Sequence, residues 1–288
     1  MKKHLSSILL ILVAMLWVAC DKIDDPVYKF TGDYRSDLYG EPPVFPIVQT
    51  PVQNVLLEDF TGHDCGNCPT AHQIAYGILD NNPERVAMVA IHAGTLAQPY
   101  PPHYPANWTT PEGSFYLLTQ VGVDEMPKGR INRIPSAQTV LSPGLWVVRT
   151  NQALAETPTL HLQLETIYSE ENQHLSVHVN HQWFDAHSGD YRLVIMVTEN
   201  KIIAPQLWYN HDPEHVEEYE HNHMLRTTFT GATGRVVASN PTAGTNITNS
   251  YTINWNPNWK VENCEVIAFI TEGDNGRILN STHKKIIE

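Results

Sequence analysis

Asn54-Val-Leu-Leu-Glu-Asp-Phe-Thr-Gly-His-Asp-Cys-Gly-Asn-Cys-Pro-Thr-Ala-His72 decides how the chain is read. An apolar strand, Val55 to Phe60, runs directly into two cysteines separated by two residues, Cys65 and Cys68, at the start of a helix. Two thiols so spaced can close a reversible disulfide, and a thiolate at a helix N-terminus is stabilised by free backbone N–H groups and the helix dipole. Thiol–disulfide chemistry is therefore the leading hypothesis.

Working outward, the pattern alternates. Pro69 to Leu79 reads as a helix with Ile74, Ile78 and Leu79 on one side, and Arg85 to His92 as a second buried strand. Strand, helix, strand implies a parallel α/β unit. A loop rich in proline and aromatics (Gln98 to Pro111) and a short helix (Gly113 to Gln120) follow. Next come a strand (Lys128 to Ile134) and a last helix (Leu145 to Leu154).

The strand Leu56-Leu57-Glu58-Asp59-Phe60 with Cys65-Gly-Asn-Cys68, followed by Tyr116 to Pro127, is similar to the thioredoxin family. That resemblance implies that Cys65 is the attacking thiol and Cys68 the resolving thiol. It further implies that Met126-Pro127 is a cis-proline dipeptide beside the disulfide and that Asp59 is a buried acid. The physical chemistry agrees: Cys68, one turn inside the helix, needs a base such as Asp59 before it can displace a mixed disulfide. The opposite orientation, Glu58 inward and Asp59 in solvent, is the alternative. Pro69 has no N–H and would delay the helix start, and Asp64 opposes a thiolate that a protonated His63 would assist. A static structural disulfide and a metal site are the other uses of such a pair; zinc ligation would need a second pair, which the chain lacks.

The first residues set the compartment. Lys2 and Lys3, an apolar run from Ile8 to Val18, and Val18-Ala19-Cys20 read as a signal peptide over residues 1–19 that ends in a lipobox, with Cys20 as the lipid attachment site. Residues 20–51 are acidic and proline-rich without sustained periodicity, which predicts a tether; Val44 to Val48 packing as an edge strand is the alternative. Removing residues 1–19 takes away two lysines and no acid, so the net charge goes from −13 to −15. Such a chain repels polyanions, and nucleic acid is excluded as a partner.

After Pro158 the period becomes two. Seven stretches (159–168, 175–184, 191–199, 224–230, 251–255, 265–271 and 277–284) alternate apolar and polar residues and predict an immunoglobulin-like β-sandwich. Cys264 reads as a buried core thiol. His211, His215, His221 and His223 lie among acidic residues in a stretch that reads as a solvated loop, and no metal or other cofactor is expected. The fold class is thus α/β plus all-β: a thioredoxin-like domain over 52–157, then the sandwich over 158–288.

Four features together resemble the twenty-eight-kilodalton outer-membrane lipoprotein family of Bacteroidetes. They are the lipobox with its acidic tether, Glu58-Asp-Phe-Thr-Gly62 with the cysteine pair, Gly129-Arg-Ile-Asn-Arg133, and Tyr219-Glu-His-Asn-His-Met-Leu-Arg226. The resemblance implies a lipid-anchored protein of the outer membrane, facing envelope or extracellular proteins. Two function classes stay open: a thiol–disulfide oxidoreductase acting on envelope proteins, and a non-catalytic binding or adhesion module in which Cys65–Cys68 is structural.

Overall fold

The computed structural model describes residues 32–122, 125–273 and 276–287. The expected signal peptide and Cys20 lie outside them. Residues 32 onward form one compact unit of mixed α/β structure, mostly strand.

β1 (Val55–Thr61), α2 (Cys68–Asn81, after the single turn α1, Ser36–Tyr39) and β2 (Val86–His92) appear where the sequence places them. β1 and β2 pair in parallel from Val55↔Val86 to Thr61↔His92. Every residue of both strands is buried, because α2 covers one face of this sheet and other elements the second. On the α2 side, Val55, Leu57, Met88 and Ala90 pack against Ala71, Ala75, Ile78 and Trp146. On the other, Leu56, Phe60, Val89 and Ile91 pack against Tyr116, Leu117 and Phe269. Residues 68, 71, 72, 75 and 78 of α2 are buried, the stripe that helical geometry requires. The helix begins at Cys68 itself; Pro69 falls in its first turn, where no N–H is needed.

A short turn of helix, α3 (Pro111–Ser114), runs on into a wider turn (Phe115–Val121). β3 (Lys128–Ile131) then pairs antiparallel to β1, and the Met126–Pro127 bond before it is cis. α4 (Trp146–Leu154) follows, and its Trp146 indole packs so closely on Gly129 that a Cβ there would lie 2.7 Å from the ring.

β4 (Leu160–Ser169), β5 (His174–Trp183), β6 (Asp190–Glu199), β9 (Met224–Thr228), β11 (Asn246–Asn254), β12 (Cys264–Glu272) and β13 (Ile278–Lys285) correspond to the seven predicted strands. Three more occur: β7 (Ile202–Leu207), β8 (His215–His221) and β10 (Arg235–Ser239). They do not close a sandwich of their own. β13, β12, β6 and β9 continue the β2–β1–β3 sheet into one eight-stranded sheet, with β10 on β6, while β11, β5 and β4 form a second sheet and β7 and β8 a two-stranded one. The first sheet therefore runs across the expected boundary at residue 158. Its seam is Ala90, paired with Met224, with the Ala90 N–H donating to the His223 carbonyl at 2.7 Å. A period of two identifies a strand and its buried face but not its neighbour, which is why the alternation read as a separate domain.

The described part of the expected tether, from Gly32, is held to the three-stranded sheet. The Arg35 N–H donates to Thr252 Oγ1, the Tyr39 hydroxyl meets His174 Nδ1 at 2.9 Å, and Val48 exchanges both backbone bonds with the Gln182 amide. No strand forms over Val44 to Val48, because a side-chain amide takes the place of a ladder partner there.

The two sequence strings around Glu58 and Arg130 meet in space. Glu58 points to the Phe60 face of β1 and is fully buried between Arg130 (2.7 Å) and Arg133 (2.8 and 3.0 Å). Burial pushes its carboxyl up, but the two guanidiniums outweigh it and hold it at about 2. The guanidinium carbons also lie 5.0 to 5.7 Å from the rings of Phe60, Tyr116 and Phe269. Asn132, between the two arginines, closes β1 through its side chain and backbone, both bonded to Leu56.

Candidate functional site

Cys65 and Cys68 are joined in a disulfide at the N-terminal end of α2, with Cα atoms 5.4 Å apart. The loop from β1 is tied down locally: the Cys65 N–H donates to the Gly62 carbonyl and the Cys68 N–H to the Cys65 carbonyl, each at 3.1 Å, while the Asp64 N–H reaches Leu96. Cys65 is 4% exposed and Cys68 0%.

Both Glu58 and Asp59 are buried, on opposite faces of β1, so neither of the two simple orientations holds alone. Asp59 faces α2 and lies 3.2 Å from His72 Nε2 without an aligned hydrogen bond. His72 stands one turn after Cys68 on the buried stripe of α2; its Nε2 also reaches Thr61 Oγ1 (3.1 Å) and its Nδ1 the Tyr219 hydroxyl (2.8 Å). Burial raises the Tyr219 hydroxyl well above the ordinary phenol value. Buried Asp59 and His72, with half-buried Tyr219 beyond them, thus form a polar line beside the disulfide helix. Next to it, the His92 and His221 rings meet edge to face at 5.4 Å, with no well-formed hydrogen bond to any ring nitrogen. Burial keeps both uncharged at neutral pH, His221 at about 3 and His92 well below the usual imidazole value.

β7 and β8 form a hairpin that pairs with neither large sheet and lies over the disulfide loop. The Leu207 N–H donates to the His63 carbonyl and the Tyr209 N–H to the Gly66 carbonyl, both at 2.8 Å. The Gln206 amide reaches the carbonyls of Cys65 (3.2 Å) and Gly62 (3.3 Å). Residue 66 has to be glycine: a Cβ would fall 2.5 Å from the Tyr209 ring.

Pro127 is placed by the β1–β3 register, Phe60↔Lys128, at the end of β1 from which the cysteine loop departs. His63 is buried with Nε2 against the Gln98 carbonyl, and burial lowers its pKa, so it supplies no positive charge to the thiols. Cys264 is a free, buried thiol whose pKa burial raises. The stretch holding the four histidines is not a solvated loop; its second half is β8. Glu218 and Glu220 point outward and Tyr219 and His221 inward. The four do not converge: His221 faces His92, His215 meets Tyr104, His211 stacks on Trp208, and His223 sits at the β2–β9 seam. Among the described residues no three His, Cys, Asp or Glu are arranged to hold a metal. His72, Gln206, Tyr209 and Tyr219 are the neighbours that sequence reasoning missed. Only His72 carried a signal, its spacing of four from Cys68 on one helix.

The fold is shared with solved structures. HBP35 of Porphyromonas gingivalis superposes with a TM-score of 0.65 at 20% identity, over 82% of this chain and 76% of that one. Protein AGR_C_4864 of Agrobacterium tumefaciens gives 0.51 at 14%, over 84% of this chain and 97% of that one. A domain of the outer membrane lipoprotein Omp28 from Porphyromonas gingivalis gives 0.31 at 15%, over 46% of this chain and 91% of that one, a score too low to show a shared fold. No curated protein matches. No helix among the described residues is long and apolar enough to cross a membrane. Residues 116–288, more than half of the sequence, match the family described as outer membrane protein Omp28, so the chain belongs to that family and to the outer membrane of the cell envelope.

Proposed function

We propose that this outer-membrane protein is a lipid-anchored thiol–disulfide oxidoreductase whose substrates are disulfides of envelope proteins. The observation that carries the reading is the disulfide at the first turn of α2 with a buried carboxylate, Asp59, on the strand that leads to it. A parallel β1–α2–β2 unit with β3 antiparallel to β1 and a cis-proline before β3 is also what a thioredoxin-like domain requires.

In the reduced form, Cys65 would act as the nucleophile, its thiolate stabilised by the α2 N-terminus. It attacks one sulfur of the partner's disulfide; that bond breaks and the other partner sulfur leaves as thiolate. Cys68 then gives its proton to the Asp59–His72 pair and attacks the Cys65 sulfur. The second partner thiolate leaves, so the partner is reduced and Cys65–Cys68 oxidised. A dithiol donor in the envelope must return the electrons.

Cys68→Ser is expected to accumulate mixed disulfides with envelope proteins, visible as reductant-sensitive bands on non-reducing gels, and Cys65→Ser none. Absence of adducts with Cys68→Ser would end the reading. The burial of both cysteines favours a second one, a structural disulfide in a binding module, and the reduction potential separates them: structural disulfides lie below about −300 mV, redox-active ones above.

The anchor is tested separately. Intact mass of the membrane-extracted protein should give a chain starting at an acylated Cys20, and Cys20→Ser should abolish processing or release the protein. An unmodified Cys20 would remove the lipid anchor from the proposal.

A further inference from the structure

Gln206 to Tyr209 lies along the disulfide loop as a bound peptide would. Its two backbone donors, Leu207 and Tyr209, meet the carbonyls of His63 and Gly66, which flank Cys65 on either side. Its Gln206 amide spans the Gly62 and Cys65 carbonyls, and its Tyr209 ring rests on the bare backbone of Gly66. These contacts run along the backbone on both sides of Cys65, which is itself 4% exposed.

The docking is also built to be released. Gln206 Oε1 is buried with no hydrogen-bond partner, an unmet acceptor that weakens the closed state. The hairpin that carries the segment pairs only with itself, so it can leave without breaking either large sheet. Its outer face, with Glu218 and Glu220, is exposed.

We propose that Gln206–Tyr209 is a built-in pseudosubstrate that closes the site. The ligand that displaces it is an extended polypeptide strand, donating backbone N–H groups to His63 and Gly66 and setting an aromatic side chain on Gly66. This rests on the oxidoreductase reading, because the strand so bound carries the disulfide that Cys65 meets.

The test uses the full chain and dithiothreitol. One thiolate of the reagent attacks the Cys65 sulfur and Cys68 leaves as thiolate. The second reagent thiol then displaces Cys65, leaving two protein thiols and the cyclic reagent disulfide. Tyr209→Ala and Gln206→Ala, each with unchanged circular dichroism, should be reduced at least about tenfold faster than wild type, the rate then being set by access to the sulfur. Tyr209→Ala combined with Cys68→Ser should trap more envelope protein than Cys68→Ser alone. Rates of both folded variants within about twofold of wild type would overturn the pseudosubstrate whatever Cys68→Ser traps. Faster reduction with no adduct in either Cys68→Ser background would overturn the oxidoreductase reading and the pseudosubstrate with it. Hydrogen exchange on the unmodified chain needs no variant. The Leu207 and Tyr209 amides should exchange at least about tenfold faster than those in the middle of β6, as local opening requires. Equal protection would show a hairpin that does not open.

Discussion

Glu58→Gln should destabilise the protein by about 3–5 kcal/mol, the loss expected when one partner of a buried ion pair is removed. The substitution keeps the volume but leaves the guanidiniums of Arg130 and Arg133 facing a neutral amide, fully buried and ringed by Phe60, Tyr116 and Phe269. In the wild-type protein Glu58 offsets the burial of Arg130 and holds its guanidinium at about 10, charged at neutral pH; without that carboxylate the cost of burying the guanidinium is left uncompensated. Urea unfolding at pH 7 would measure the loss, and heating should show it as a fall of roughly 10 °C in Tm. Asp59→Asn is the control. It neutralises a carboxylate on the same strand, but one that faces His72 and no arginine, and should cost less. A Glu58→Gln variant within about 1 kcal/mol of wild type would show that the cluster can relax, by rearrangement or water entry, in a way the closed geometry does not suggest.

What the sequence discloses here follows from what periodicity encodes. β1 and β2 were legible because a strand buried on both faces is an unbroken apolar run, and α2 because its stripe repeats at helical spacing. The charged residues inside β1 were harder. Alternation puts Glu58 and Asp59 on opposite faces, yet a reader who expects one face in water must choose between them. The choice dissolves once β1 is seen to be covered on both sides, with Arg130 supplied by β3 and Arg133 by the turn that follows it. β8 was missed because Glu217, Glu218 and Glu220 dominate its composition, although Tyr219 and His221 keep the inward alternation. The pairing of Met224 with Ala90 had no local signal, since sheet neighbours are chosen by the whole packing. The same holds for the covering of Cys65, which depends on a hairpin some 140 residues away in sequence.

Stability should fall steeply as the pH drops from about 6.5 toward 5, above the range in which ordinary carboxylates titrate. His92, His181 and His221 are buried and uncharged, with His181 lowered to about 4, His221 to about 3 and His92 well below its usual value; burial is the largest cause in each. For His181 the hydrogen bonds give a further reason. Trp183 Nε1–H donates to its Nδ1 at 2.9 Å while Nε2 faces Asn249 Oδ1, so a proton can be added only by breaking the indole bond. For His92 and His221 each ring faces the other, with His63 and His72 also near, so charging one opposes charging its neighbour. The sign follows from linkage. Below pH 6.5 the unfolded chain binds three protons that the folded chain refuses, so unfolding gains about 1.4 kcal/mol per pH unit for each, or about 4 together. Glu58 adds nothing in this window; its stabilisation is complete above the unfolded carboxylate value and is lost only on descending from about pH 4.5 toward 2. Between pH 6.5 and 5 the loss reaches roughly 5 kcal/mol, because the unfolded imidazoles are only half protonated at pH 6.5, and this equals the lower end of an ordinary domain's total stability. Urea unfolding at half-unit intervals would read the slope, and His221→Phe should reduce it by about one proton, about 1.4 kcal/mol per pH unit. A wild-type curve that stays flat from pH 6.5 to 5 would mean that these imidazoles take up their protons without unfolding and would overturn the prediction.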